Sequence, residues 1–210
     1  MPPSTPTPST LPPLLLAAAL LAGSSPVQSA EVLTGSNPDT GLRSWTWQHQ
    51  GISLQLVQRL PDQTRAFFLG RGFSSEDADR IARACVFQTI FRNDGQQPID
   101  YNLDDWFLIA AQASADRKRP LQTRERWDAI WQQQDTAQAA RIAFRWSLLP
   151  TVQHFEPGDY NWGMSSYGLP PGSPFDLTLA LSIAGKTITG HIPAVVCAPE
   201  TGNPENRDTP

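Results

Sequence analysis

The sequence predicts a mainly β protein, an antiparallel β-sandwich carrying one or two inserted α-helices, on three observations. Apolar and polar residues alternate in several short runs, the pattern of strands with one buried face. Turn-forming triplets such as Asn93-Asp94-Gly95 and Ala184-Gly185-Lys186 separate these runs. Helical patterns do not recur between strands, so there is no βαβ rhythm and no reason to expect a parallel sheet.

The N-terminus reads as an export signal. Residues 14–22 (LLLAAALLA) are an apolar run too short to span a bilayer but of the length of a signal-peptide core. Val27-Gln28-Ser29 offers a small-x-small cleavage pattern near residues 29–30, which makes residues 1–30 a signal peptide and the mature protein periplasmic or secreted. The first ten residues lack Lys and Arg. Residues 21–24 (LAGS) carry Ser where a lipobox needs Cys, so lipidation is not expected there.

Residues 31–43 are polar and turn-rich and read as a flexible lead-in. One domain is expected over 44–198. It begins with Trp45 and Trp47 at alternate positions, then Ile52, Leu54 and Leu56, with Gln50-Gly51 between them as a hairpin turn or a bulge. Residues 63–69 suggest a short helix. Ser74 followed by Glu76 and Asp77 starts a second, because the hydroxyl can cap it and the acids suit the helix dipole. Residues 85–91 (CVFQTIF), 99–103 and 106–111 read as strands of an antiparallel meander. Thr123 can cap a helix running to about Ala140.

Ala140, Ile142, Phe144, Trp146 and Leu148 then alternate with polar residues, which predicts a strand over 140–148. Residues 153–175 follow as a long aromatic loop. Phe175, Leu177, Leu179, Leu181 and Ile183 alternate again and pair with residues 187–196 as a terminal hairpin. The tail, 199–210, is rich in Pro, Asn and acids and reads as disordered. This strand count fits an immunoglobulin-like or cupredoxin-like sandwich.

Composition narrows function. The net charge of −4 lies entirely after residue 30, and so mild an acidity gives no basic face for nucleic acid. Seven Trp and nine Phe provide for a substantial core. Cys85 and Cys197 are the only cysteines, and in an exported chain such a pair predicts one disulfide. Phosphate-binding loops, dinucleotide glycine fingerprints, zinc spacings and haem attachment motifs are absent from the sequence.

Three groups of residues could carry function. His154, Met164 and His191 combine imidazole with thioether, a donor set suited to copper in an oxidising compartment. The pattern resembles the His and Met ligands of periplasmic copper carriers, although those use more methionines in tighter clusters. In the competing reading Met164 is a packing residue and both histidines are ordinary surface groups. Asp159, Tyr160, Asn161, Trp162 and Tyr167 place aromatic rings beside polar groups, as contact with a protein partner or a glycan requires. Arg117, Lys118 and Arg119, with Arg124 and Arg126 nearby, could touch anionic lipid at a membrane surface.

Residues 163–168 (GMSSYG) lie one residue from a nucleophile elbow, but the strand-turn-helix context is missing. The expectation is therefore an exported, non-enzymatic binding or accessory protein of the bacterial cell envelope. It would need no cofactor, copper excepted, and would meet an envelope partner through residues 153–175. A copper carrier and a glycan-binding module or hydrolase are the alternatives.

Overall fold

The computed structural model describes Met1 and residues 30–111 and 117–200. The expected signal segment, apart from Met1 and Ala30, and residues 201–210 of the expected tail lie outside the described residues. Two antiparallel sheets pack face to face. Sheet A is ordered β1 (Glu31–Ser36), β2 (Arg43–His49), β3 (Ile52–Gln58), β4 (Val86–Asn93) and β9 (Tyr160–Ser166). Sheet B is built on β10 (Pro174–Ile183), which pairs along its length with β11 (Lys186–Val196). The other edge of β10 is shared by β6 (Phe107–Ala110) and β5 (Ile99–Asn102). Strands β7 (Arg119–Pro120) and β8 (Val152–Phe155) extend these two outward. The mainly β sandwich and the terminal hairpin are thus as the alternation predicts.

Four helices are inserted as two pairs, α1 (Pro61–Leu69) with α2 (Ser75–Ala82), and α3 (Arg124–Gln133) with α4 (Gln138–Ser147). The start of α2 follows its sequence cue, for the Ser74 hydroxyl accepts the Asp77 N–H at 3.1 Å. Thr123 precedes α3 but makes no side-chain cap.

Alternation decides which side chains fill the sandwich. Trp45 and Trp47 from β2, Ile52, Leu54 and Leu56 from β3, and Phe87 and Phe91 from β4 all point inward. They meet Tyr101, Leu108, Phe155, Leu177 and Leu179 from sheet B. Gln50 and Gly51, with φ of 49° and 81°, form the β2–β3 hairpin turn. The expected disulfide is present. Cys85–Cys197 joins the start of β4 to the end of β11, so it ties one sheet to the other across 112 residues of chain.

Several expectations are corrected. Residues 31–36 are not a lead-in but strand β1, paired in register with β2 from Glu31–Gln48 to Ser36–Arg43. The segment 85–111 is not a meander, because β4 belongs to sheet A while β5 and β6 both pair with β10 in sheet B. The stretch 153–175 is not a long loop, since β8 and β9 occupy most of it.

The largest correction is at 140–148, which is helix α4 rather than a strand. Its alternating apolar residues contain a second spacing: Ala140, Phe144 and Leu148 are four apart, and these are the buried ones. Ala, Gln and Arg fill most other positions and favour helix, and only Ile142 is β-branched. The preceding helix ends at Gln133, and Asp135 takes the left-handed conformation (φ 52°) that separates α3 from α4.

Candidate binding surface

Strand β9 is the edge of sheet A that carries most of the expected contact residues. Its alternation sends Tyr160, Trp162, Met164 and Ser166 to the outer face, opposite Arg92, Ile90, Gln88 and Val86 of β4. The inserted helices cover one end of this face. Val86 and Met164 are buried there beneath Phe68, Trp127, Trp131, Phe144 and Leu148. Trp127 Nε1 donates to the Ser166 hydroxyl at 2.8 Å, which fixes α3 against β9.

The other end is open. Tyr160 is 58% and Trp162 is 65% exposed. The Arg92 guanidinium lies over the Tyr160 ring at 4.9 Å.

Helix α4 adds to the same face. Having buried Ala140 and Phe144, it leaves Ile142 and Trp146 one turn apart on its outer stripe, and Trp146 is 85% exposed. Leu148, just past the helix, forms a parallel bridge with Met164, two residues along β9 from Trp162. The Leu149 N–H donates to the Met164 carbonyl at 3.0 Å. Gly163 makes this approach possible, because a Cβ there would sit 2.7 Å from the Leu149 nitrogen.

Ion pairs brace α4 from below. Arg141 binds Asp128 of α3 at 2.8 Å, and Arg145 reaches Glu125 at 3.5 Å. Burial acts to raise the Glu125 pKa. The Thr151 hydroxyl, Glu125's own backbone N–H and Arg124 outweigh it and hold the carboxylate below its usual value. Trp162 and Tyr160, with Ile90 and Arg92 opposite them on β4, and Trp146 and Ile142 on the braced helix are thus left exposed or half-exposed on ordered elements.

The other expected contact residues have structural duties. Asp159 accepts the Glu156 N–H at 2.9 Å, and its carbonyl accepts the Asn93 N–H, so it shapes the β8–β9 turn. Asn161 donates to Gln153 Oε1 at 2.7 Å, linking β9 to β8 across the sandwich edge. Tyr167 is corrected from contact residue to core residue. It is 1% exposed, its ring lies 4.9 Å from that of Phe175, and burial pushes its hydroxyl pKa up.

His154, Met164 and His191 are not brought together. His154 lies on the outer face of sheet B, with Asp100 2.7 Å from Nδ1 and Glu156 3.2 Å from Nε2. Together these carboxylates raise its pKa. His191 is on the same sheet, beside Asp176 at 3.7 Å. The row through His154 runs by Asp100 and Ser182 to Thr187, four residues along β11 from His191. Met164 is on the other sheet, 5% exposed beneath the helices. Among the described residues no group of three His, Cys, Asp or Glu side chains is placed to hold a metal ion.

The elbow-like serines are engaged in packing. Ser165 lies 2.6 Å from the Thr89 hydroxyl and 3.1 Å from the Tyr167 hydroxyl, while Ser166 donates to the Gln122 carbonyl. In the basic group, Lys118 lies 4.3 Å over Phe107 and Arg119 donates to the Gly168 carbonyl. Arg124 pairs with Glu125 and Arg126 with Asp104, leaving Arg117, Lys118 and Arg119 as its exposed cations without an ion pair among the described residues. A cleft of about 820 Å³ opens between α2, α3 and residues 168–171, but its Arg80 and Arg83 pair with Glu76 and Asp79 of their own helix.

Sequence reasoning misses Trp146, Ile142 and Arg92 as surface residues. The four-residue spacing of 140, 144 and 148 is the signal that exposes the first two. No family model, no curated protein and no solved structure matches this chain.

Proposed function

We propose that this is an exported, non-enzymatic binding or accessory protein of the bacterial cell envelope, and that it engages a protein partner through Trp146, Trp162 and Tyr160. One observation carries the reading: three large aromatic side chains, two on β9 and one on the helix whose end is bridged to β9, stand more than half exposed. Exposed Trp and Tyr beside Arg are the residue types that anchor protein interfaces, because each buries a large area for little side-chain entropy. The helices, the ion pairs and Gly163 hold this face in place before any partner arrives. The Cys85–Cys197 disulfide supports an oxidising compartment, in agreement with the apolar run at residues 14–22.

The test is site-specific photo-crosslinking in the producing cell, with the probe at Trp162 and, as control, at Thr178 on the outer face of sheet B. One defined adduct from position 162, lost when Trp146 and Tyr160 are changed to Ala, supports the reading. Equal adducts from both positions, or none from 162, sink it. A glycan is the second reading, because Tyr160 and Trp162 stand two residues apart, about 7 Å along the strand, as a tandem stacking platform. In that case oligosaccharide, rather than protein, protects the Trp162 fluorescence from quenching.

A further inference from the structure

A different surface carries a site that neither the aromatic face nor the sequence pattern discloses. Arg59 precedes α1 and Arg71 follows it, yet both guanidiniums lie over the same ring, that of Phe67 in the last turns of the helix. The Arg59 Cζ is 5.0 Å and the Arg71 Cζ 3.2 Å from the ring centroid. The two cations therefore stand within about 8 Å of each other, a separation at which like charges repel appreciably near a protein surface. Among the described residues neither enters an ion pair with a carboxylate. The neighbouring acid, Asp62, is engaged by Arg65.

Helix chemistry explains half of this arrangement. Arg71 donates through Nη1 to the Phe67 carbonyl at 3.0 Å, the ordinary position of a cation at a helix C-terminus. It does not explain Arg59. That side chain is half-buried, its Nε is shut from solvent without a hydrogen-bond partner, and its one polar contact is a long 3.5 Å approach to the Gln63 carbonyl. Burial and the neighbouring Arg71 both lower its pKa, and no carboxylate counters them. A cation held this way costs stability unless something negative joins it. The platform itself is rigid, since Phe67 packs edge-on against Phe68 of the helical core at 5.0 Å.

We propose that Arg59 and Arg71, carried on Phe67, form a binding site for a phosphate-type oxyanion. The geometry suits that ligand. A guanidinium bonded to a phosphate oxygen keeps its carbon about 4 Å from phosphorus, so one phosphate can be shared by two arginines whose carbons are no more than about 8 Å apart, the bound that the two ring contacts set on this pair. Arginine is also the cation that binds such groups through two parallel N–H bonds, and it tolerates partial burial better than lysine. The shared chemistry is a phosphate carrying one or two charges, whether free in solution or on a lipid headgroup. The site shares no residue with the partner-binding reading, so it stands or falls independently of it.

The experiment follows the arginine Nε–H signals of the full-length oxidised chain by NMR during titration with inorganic phosphate at constant ionic strength. Expected is a saturable one-to-one shift of the Arg59 and Arg71 signals in the millimolar range. Affinity should fall about tenfold or more in Arg59→Gln and in Arg71→Gln, the loss of one charge-assisted pair. Arg43→Gln is the control, since Arg43 also lies over a ring, that of Trp45, and its removal should change nothing. Thermal unfolding reports the same event: phosphate raises the wild-type midpoint and leaves both variants where they were. Arg71 is exposed, so Arg71→Gln keeps the test valid even if Arg59→Gln misfolds.

Sedimentation with phosphatidylglycerol vesicles, against phosphatidylcholine vesicles, distinguishes the two sources. Co-sedimentation lost in both variants assigns a lipid headgroup, and phosphate binding without it assigns a small soluble anion. A linear, unsaturated response up to about 50 mM phosphate, or equal weakening by Arg43→Gln, overturns the site.

Discussion

The molecule contains two hydrophobic clusters built from the same aromatic stock by different rules. Between the sheets, side chains arrive at every second residue of several strands, and Cys85–Cys197 locks the two layers. On the outside of sheet A, Phe68, Trp127, Trp131 and Phe144 from three helices and Phe73 from the α1–α2 connection settle on Val86 and Met164. A sheet sandwich closes around its core. A helix cap cannot, because each helix buries one stripe and leaves the opposite one in solvent. That is why the sandwich hides its tryptophans completely while α4 displays Trp146. The exposed aromatic face is the margin of the cap, and its order depends on the cap being in place.

Removing the disulfide should have the largest effect. Closing 112 residues of chain restricts the unfolded state by about 4–5 kcal/mol, so Cys85→Ser with Cys197→Ser should lower unfolding stability by that order. Denaturant titration measures it. A change below about 1 kcal/mol would show that the two layers hold without their link.

Phe144→Ala probes the other cluster. The ring is 2% exposed and contacts the rings of Phe68, Phe73, Trp127 and Trp131, so about 3–5 kcal/mol should be lost. Hydrogen exchange then separates the clusters: amides of α3 and α4 should lose protection while β3 and β4 keep theirs. Uniform loss across both would make them one cooperative unit and erase the distinction drawn here.

The same contrast explains what the sequence discloses. Strand alternation is legible wherever one face meets a deep core, as at Trp45–Trp47 and along β10, because there burial follows period two without competition. The cysteines are legible because only one pairing exists. At 140–148 two periods coexist in the same residues. Ile142 and Trp146, which complete the apparent strand, are the residues the helix leaves outside. β9 misleads in the opposite way: glycine, serines and the Pro157-Gly158 turn suggest a loop, whereas Gly163 and Ser165 are the small residues that tight packing demands. Arg59 and Arg71 stand twelve residues apart on either side of a helix, and only the fold sets them on one ring.

Gly163→Ala should have an intermediate effect. Its methyl group would press on the backbone of Leu149, costing about 1–3 kcal/mol and loosening the junction between α4 and β9. Trp146→Ala and Tyr160→Ala should each change stability by less than about 0.5 kcal/mol while removing the adduct formed from position 162. A stability loss as large as that of Phe144→Ala would assign these rings to the cap core and away from any interface.

The outer face of sheet B, which neither cluster reaches, provides the smallest and most conditional effect. His154 stands there between Asp100 and Glu156, fully exposed to solvent, and its pKa is raised because both carboxylates favour the charged ring. A pKa raised on folding means that the contribution is fully present below the unfolded-state value of about 6.5 and is lost as pH rises through the higher folded-state value. The unfolding midpoint of the wild type relative to His154→Asn should therefore be highest in mild acid and converge above neutral pH. In about 1 M salt the difference should vanish at every pH, since exposed charges are screened over a few ångströms. A difference that is flat with pH, or that survives the salt, would mean that the imidazole acts through packing against β5, and sheet B would then be stabilised on its outer face as sheet A is, by contact rather than by charge.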